Sequence, residues 1–355
     1  MFNLDSLPQS FVDNVNSFCG KLRRRHITGS YHTASSTLSL INELLDTRDF
    51  ETWSDLRDAI VALGRTVLQA QPLEMCVANV FHRVLTAIKE PSQAQVPVST
   101  FSILTHPYKA ETCSLEDPYN IPITPNSFIE FTDSLSELEN QITCSYEDLK
   151  LHAPSFLQSS EIILVIGHST TIFEFLTGVK SDKISHVFVL ERAPDYSGHR
   201  MASRIASAGI PCSVVHDGAA AALMPRVSKV LISTHAVLAD GGLFAPTGTG
   251  LIARVASQYR VPVICLCATY KLSFLYVKSQ HSRNVLLSPS IMFPLASEKF
   301  SPQSLALTEF ILPQYEYVPP SFVSIYLTNE GTHNPSDIYR LAAQYYDLGF
   351  TITEE

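Results

Sequence analysis

The sequence predicts an α/β protein in two parts: a helical N-terminal domain, then a Rossmann-like, doubly wound and mostly parallel sheet domain. Three observations carry this. The chain has 355 residues, beyond the roughly 250 to 300 at which a single core stops growing, so two domains are expected. Before about residue 150 apolar residues recur at helical spacing, and after about 155 they gather into short runs alternating with helical stretches. That alternation is the pattern of strands joined by crossover helices in a parallel sheet. The domain limits read from it are 1–150 and 151–355.

Taken in order, the helical part shows Leu38, Ile41 and Leu45, then Leu56, Ile60, Leu63 and Val67, then Val77, Val80, Val84 and Ile88, each set falling on one helix face. Residues 91–125 hold six prolines among many Ser and Thr, which reads as a connecting segment that cannot continue a helix. Phe128, Phe131, Leu135, Leu138 and Ile142 then mark one more helix. In the second part five strands are expected, at 162–166, 186–190, 212–216, 230–233 and 261–266, with helices near 170–178, 198–208, 218–224 and 249–259. A sixth strand at 322–327 and a helix at 336–346 end the chain. Ile162 to Ile166 are apolar at consecutive positions, as expected of a strand covered by helices on both faces.

Composition narrows the function classes. A net charge of -9 gives no electrostatic footprint for a nucleic-acid backbone. The short basic cluster of Lys21, Arg23, Arg24 and Arg25 reads as a solvated helix face. No run approaches the roughly 18 apolar residues of a membrane span, and the start from Met1 to Pro8 lacks a basic stretch followed by an apolar core, so a soluble, unexported protein is expected. The seven cysteines (19, 76, 113, 144, 212, 265 and 267) lack C-x-x-C pairing and metal-ligand spacing, and are expected to be reduced in a cytosolic protein. Charged residues are only 17% of the chain against 45% hydrophobic. Either the core is large or partner subunits cover apolar surface.

In an open parallel sheet, chemistry sits beyond the carboxyl ends of the strands. Gly167-His168-Ser169-Thr170-Thr171 nearly spells a G-x-S-x-G nucleophile elbow, but Thr171 stands where that turn needs glycine. Asp217, Asp240 and His281 or His333 could nominally complete a triad. Thr247-Gly248-Thr249-Gly250 precedes a helix and could hold a phosphate on backbone N–H groups, yet it lacks the P-loop ending and reads as a loop-to-helix turn. Arg192 could meet an anion or serve as an ion-pair partner; His216 and Asp217 read as a strand-end pair satisfying local bonds; Cys265 and Cys267 read as core packing. No residue is assigned to a cofactor or a metal.

The segment 230–249 resembles the active-site strand and loop of sugar-phosphate isomerases of the ribose-1,5-bisphosphate and methylthioribose-1-phosphate type, with its chemical groups replaced. Where those enzymes carry a cysteine, a catalytic aspartate and an Asn-Lys pair, this chain has Gly167, His235, and Ala245 with Pro246. Further stretches extend the resemblance: Gly64-Arg65-Thr66, Ala70-Gln71-Pro72-Leu73-Glu74, Ala78-Asn79 to Leu85, Glu191 to Pro194, Gly198 to Ala202, Tyr270 to Ser273 and Tyr317 to Pro320. Together they are similar to the regulatory subunits of eukaryotic translation initiation factor 2B, and the ending, Thr328 to Gly331 with Asn334 to Leu341, is similar to the beta branch of that family.

The resemblance implies a helical domain followed by a Rossmann-like domain, no catalytic residues, no cofactor, and a cytosolic non-catalytic scaffold and sensor. The implied partners are the alpha, gamma, delta and epsilon subunits of the exchange complex, most directly a delta-type subunit through the α/β domain, and the alpha subunit of translation initiation factor 2, whose phosphorylation the regulatory core senses. Nucleic acid and membrane are not among them. Nucleotide exchange would belong to the epsilon subunit. Loss of all four isomerase positions implies that isomerisation is lost, since removing a transition-state group costs orders of magnitude in rate. A retained isomerase, or a vestigial sugar-phosphate or nucleotide binder, is the alternative.

Overall fold

A computed structural model describes residues 7–47, 49–93, 119–180, 183–276, 284–292 and 307–346. Most of the expected connecting segment 91–125, together with Cys113, His281 and the first six residues, lies outside these. The chain divides into two compact units, one of residues up to 143 with the described residues 343–346, the other of residues 144–342. The division thus falls inside a helix, a few residues before position 150, and the last described residues group with the first unit.

In the first unit, α1 (Gln9–Arg23), α2 (Ser30–Thr47), α3 (Trp53–Ala70), α4 (Met75–Gln93) and the first part of α5 (Pro125–Phe156) are helices whose apolar stripes meet. α3 shows the logic most plainly. Thr52 caps it, its side chain accepting from Asp55 N at 3.2 Å. Trp53, Leu56, Ile60, Leu63 and Val67 then bury one face, and the Trp53 ring meets Phe131 of α5 edge-on at 5.7 Å. Trp53 is fully buried and its indole Nε1 has no hydrogen-bond partner among the described residues. Arg83 ties the chain's end to this unit: its guanidinium lies 4.3 Å over the Tyr345 ring and donates to Gln141 Oε1 at 3.0 Å. Lys21, Arg23 and Arg24 are exposed along the end of α1, the solvated face expected of them.

The second unit is built on a seven-stranded sheet. Its strands are β1 (Glu161–Ile166), β2 (Ile184–Leu190), β3 (Cys212–Val215), β4 (Lys229–Ser233), β7 (Val263–Leu266), β9 (Ile325–Thr328) and β10 (Gly331–His333). The order across the sheet is β10-β9-β7-β4-β1-β2-β3, parallel except for β10. α6 (Thr170–Leu176), α7 (Ser197–Ser207), the short α8 (Ala220–Leu223) and α9 (Thr249–Gln258) alternate with the strands, and α10 (Ile338–Tyr345) closes the described chain. Ile163, Val165, Val187, Val189, Leu231, Ile264, Leu266 and Leu327 are buried in one core. Burying both faces of such strands is what their uninterrupted apolar runs require.

Three strands depart from the expected pattern. β5 (Ala236–Val237), β6 (Leu243–Pro246) and β8 (Tyr315–Val318) form a separate antiparallel sheet in the order β5-β6-β8. None of them is in the sequence reading. The last parallel strand also begins three residues later than expected, because Pro320–Phe322 form a 3-10 turn before it.

Candidate functional site

The parallel order reverses between β1 and β4, which lie side by side in register, Val165 opposite Leu231. The crevice beyond their carboxyl ends is where ligands of doubly wound sheets bind. Gly167 follows β1 and His235 follows β4, so the fold brings these two positions to one place.

Gly167 sits at φ +59°, a conformation that favours glycine. A β-carbon there would lie 2.7 Å from Arg192 Cδ and 3.0 Å from Ser197 Oγ. The space a cysteine side chain would occupy is filled by Arg192. That arginine is fixed by its own backbone. Its N–H donates to Asp217 Oδ1 at 2.9 Å, the next residue's N–H donates to Asp217 Oδ2 at 2.7 Å, and its guanidinium pairs with Asp195 at 3.3 Å. Asp217 braces a loop and Arg192 is an ion-pair partner. His216 accepts from Gly218 N at 3.1 Å through Nδ1, and its other nitrogen lies 3.6 Å from Glu191.

His235 is 6% exposed. Its ring stacks on Tyr315 of β8 at 4.5 Å and its backbone N–H donates to Phe244 O at 2.9 Å. The neighbouring Thr234 hydroxyl bonds Ala236 O and Phe244 O, at 2.6 and 2.9 Å. Lys271 is buried and donates to Thr234 O at 3.2 Å. Ala245 and Pro246 are strand residues paired with Glu316 and Tyr315. Where the isomerases present an amide and a cation, this chain presents a β-ladder.

The serine of the near-elbow is likewise structural. Ser169 caps α6, its oxygen accepting from Ile172 N at 3.3 Å. His168 beside it faces Arg204 at 3.3 Å; burial, then the charges of Arg200 and Arg204, hold its imidazole below the ordinary value. Asp240 is engaged by the Tyr317 hydroxyl at 2.6 Å and Gly242 N at 2.8 Å, and burial followed by that bond pushes the Tyr317 phenol up. His333 stands on β10, four strand spacings or about 19 Å from β1. Cys265 and Cys267 are fully buried, and the six described cysteines are free thiols.

The helix start at 247–250 is occupied from within. Glu316 Oε1 accepts from Gly250 N at 2.7 Å, while Thr249 bonds back to Pro246 O at 2.6 Å. Glu316, Tyr315 and the packing role of Arg192 escape a reading of motifs, because each reaches its place through β8 or a cross-strand loop. The tightly packed glycines, Gly167 above all, were the one local sign.

A family model described as "Initiation factor 2 subunit family" matches residues 26–335. The chain is similar to translation initiation factor eIF2B subunit beta of Dictyostelium discoideum, 29% identical over 96% of each chain. It is also similar to the same-named subunit of Schizosaccharomyces pombe, 27% identical over 95% of this chain and 97% of that one. Among solved structures it shares its fold with eIF2B beta from Chaetomium thermophilum (TM-score 0.70, 21% identical, 96% of this chain and 94% of that one). A chain of the tetrameric eIF2B-beta2-delta2 complex from C. thermophilum gives a TM-score of 0.69 at 20% identity, over 95% and 96%.

Proposed function

The chain belongs to the initiation factor 2 subunit family, and on that premise we propose that it is a non-catalytic, beta-type subunit of the guanine-nucleotide exchange complex eIF2B. The observation that carries the reading is similarity to two beta subunits over nearly the whole of both chains, 95–96% of this chain against 96–97% of theirs. The crevice supports it: the thiol, acid and cation positions of the related isomerases are taken up by packing groups at Gly167, His235, Ala245 and Pro246.

In this reading the chain works in the cytosol, by assembly with the alpha, gamma, delta and epsilon subunits. The α/β unit pairs with a delta-type subunit, and a beta2-delta2 tetramer of similar fold supports that choice of neighbour. The core so formed binds the alpha subunit of initiation factor 2 and responds to its phosphorylation, while exchange is catalysed by the epsilon subunit. Co-expression of the tagged full-length chain with the other four subunits tests the assignment. A stable complex is expected, and crosslinking within it to the factor 2 alpha subunit tests the sensing role. A monodisperse monomer that ignores delta, gamma and epsilon would end the reading.

A further inference from the structure

At the carboxyl ends of β2 and β3 the backbone gathers three metal-ligating side chains that lie apart in the sequence. Glu191 follows β2, and both its main-chain groups are engaged: its N–H donates to Val215 O at 2.9 Å and its carbonyl accepts from Gly198 N at 3.1 Å. Each of those partners is followed by a histidine, so His216 beyond β3 and His199 in α7 are set on either side of Glu191. Gly198 permits the close approach, since any β-carbon there would collide with Leu190 O. The spacing of 191, 199 and 216 matches no metal motif, and for that reason the sequence alone shows none.

The three side chains are spaced for an ion rather than for one another. His216 Nε2 lies 3.6 Å from Glu191 Oε1, and His199 Nε2 lies 3.8 Å from Oε2. A hydrogen bond needs about 2.7–3.2 Å, whereas ligand atoms about 2.0–2.2 Å from a tetrahedral zinc ion stand about 3.3–3.6 Å apart. The Glu191 side chain is 16% exposed, and among the described residues no lysine or arginine pairs with it. The guanidinium of Arg192, next in the chain, goes to Asp195 instead. A mostly buried carboxylate without a fixed countercharge is costly, and a divalent cation supplies that charge. The imidazoles are 59% and 76% exposed, so their rings can turn to bring both nitrogens onto one ion. His216 accepts from Gly218 N through Nδ1. Ligation through Nε2 moves the ring's single proton to Nδ1 and exchanges that bond for one to water.

We propose that Glu191, His199 and His216 bind one divalent transition-metal ion of the kind imidazole favours, Zn2+ foremost, with water as the fourth ligand. The ion clamps the ends of β2 and β3 to the start of α7. This inference does not rest on the subunit assignment, and its failure would leave that assignment untouched.

The test is equilibrium dialysis of the full-length chain and its His199→Gln, His216→Asn and Glu191→Gln variants against micromolar Zn2+. The parent chain should take up about one zinc ion that each variant binds at least about tenfold more weakly. His216→Asn still offers Gly218 N an acceptor, and both rings are exposed. Neither histidine change should therefore move the metal-free melting temperature by more than about 2 °C. Zinc should raise the melting temperature of the parent and leave the variants unmoved. With Co2+ as the probe, the parent spectrum minus that of His216→Asn should show d–d bands without thiolate charge transfer, since no cysteine is among the ligands. No zinc uptake by the parent chain, uptake undiminished in the histidine variants, or thiolate charge transfer in that difference spectrum overturns the proposal.

Discussion

At the scale of single residues, the crevice beyond β1 and β4 is closed by groups that each have a structural duty. Restoring one chemical group should therefore cost stability without returning chemistry. His235→Asp places a carboxylate where a 6% exposed ring stacks on Tyr315 and lies near Phe244. It should destabilise the chain by about 2 kcal/mol or more, since a buried charge lacks solvation there. Urea denaturation measures that loss, and incubation with ribose-1,5-bisphosphate at high protein concentration should yield no ketose product. Gly167→Cys meets both a positive φ and a 2.7 Å approach to Arg192. A loss of about 1–3 kcal/mol is expected by the same denaturation measurement.

At the scale of elements, the loop after β2 is held by Asp217, which accepts two backbone N–H groups from residues 192 and 193. Asp217→Ala leaves both donors without their charged acceptor and should cost about 1–3 kcal/mol. Limited proteolysis should then cut first between 192 and 196, at positions where the parent chain is expected to resist. The elements themselves were unevenly legible. β1, β2, β4 and β7 declare themselves because strands covered on both faces carry consecutive buried apolar residues, here Ile163–Ile166, Val187–Leu190, Val230–Ile232 and Val263–Leu266. The small sheet does not. β5 has two residues, β6 ends in a proline, and β8 is half-buried over Tyr315, Glu316 and Tyr317 with no alternation to read. The crevice was legible as a set of missing groups, because Gly167, His235, Ala245 and Pro246 are wrong residue types for isomerase chemistry. What replaced those groups was not, since Tyr315 and Glu316 reach the site only through the pairing of β6 with β8.

At the scale of the whole molecule, several imidazoles tie stability to pH. Burial holds His82 and His333 below the ordinary value near 6.5, and burial with Arg200 and Arg204 does the same for His168. The unfolded chain then binds more protons than the folded one as pH falls below about 6.5, so stability rises with pH across that range. The melting temperature should be level above about pH 7.5 and decline from pH 6.5 toward 5, with His82→Gln and His168→Asn each making the decline shallower. A scan of melting temperature against pH checks this.

The two compact units also carry unequal labels. The chain's one tryptophan, Trp53, lies fully buried in the helical unit, while the sheet unit holds tyrosines and no tryptophan. Its emission should be blue-shifted in the folded chain and should report the melting of the helical unit alone. Circular dichroism reports both units, so excitation at the indole band separates two transitions wherever the units unfold at different temperatures. A single natural fluorophore thus makes the helical unit observable by itself, in the intact chain and without any added dye.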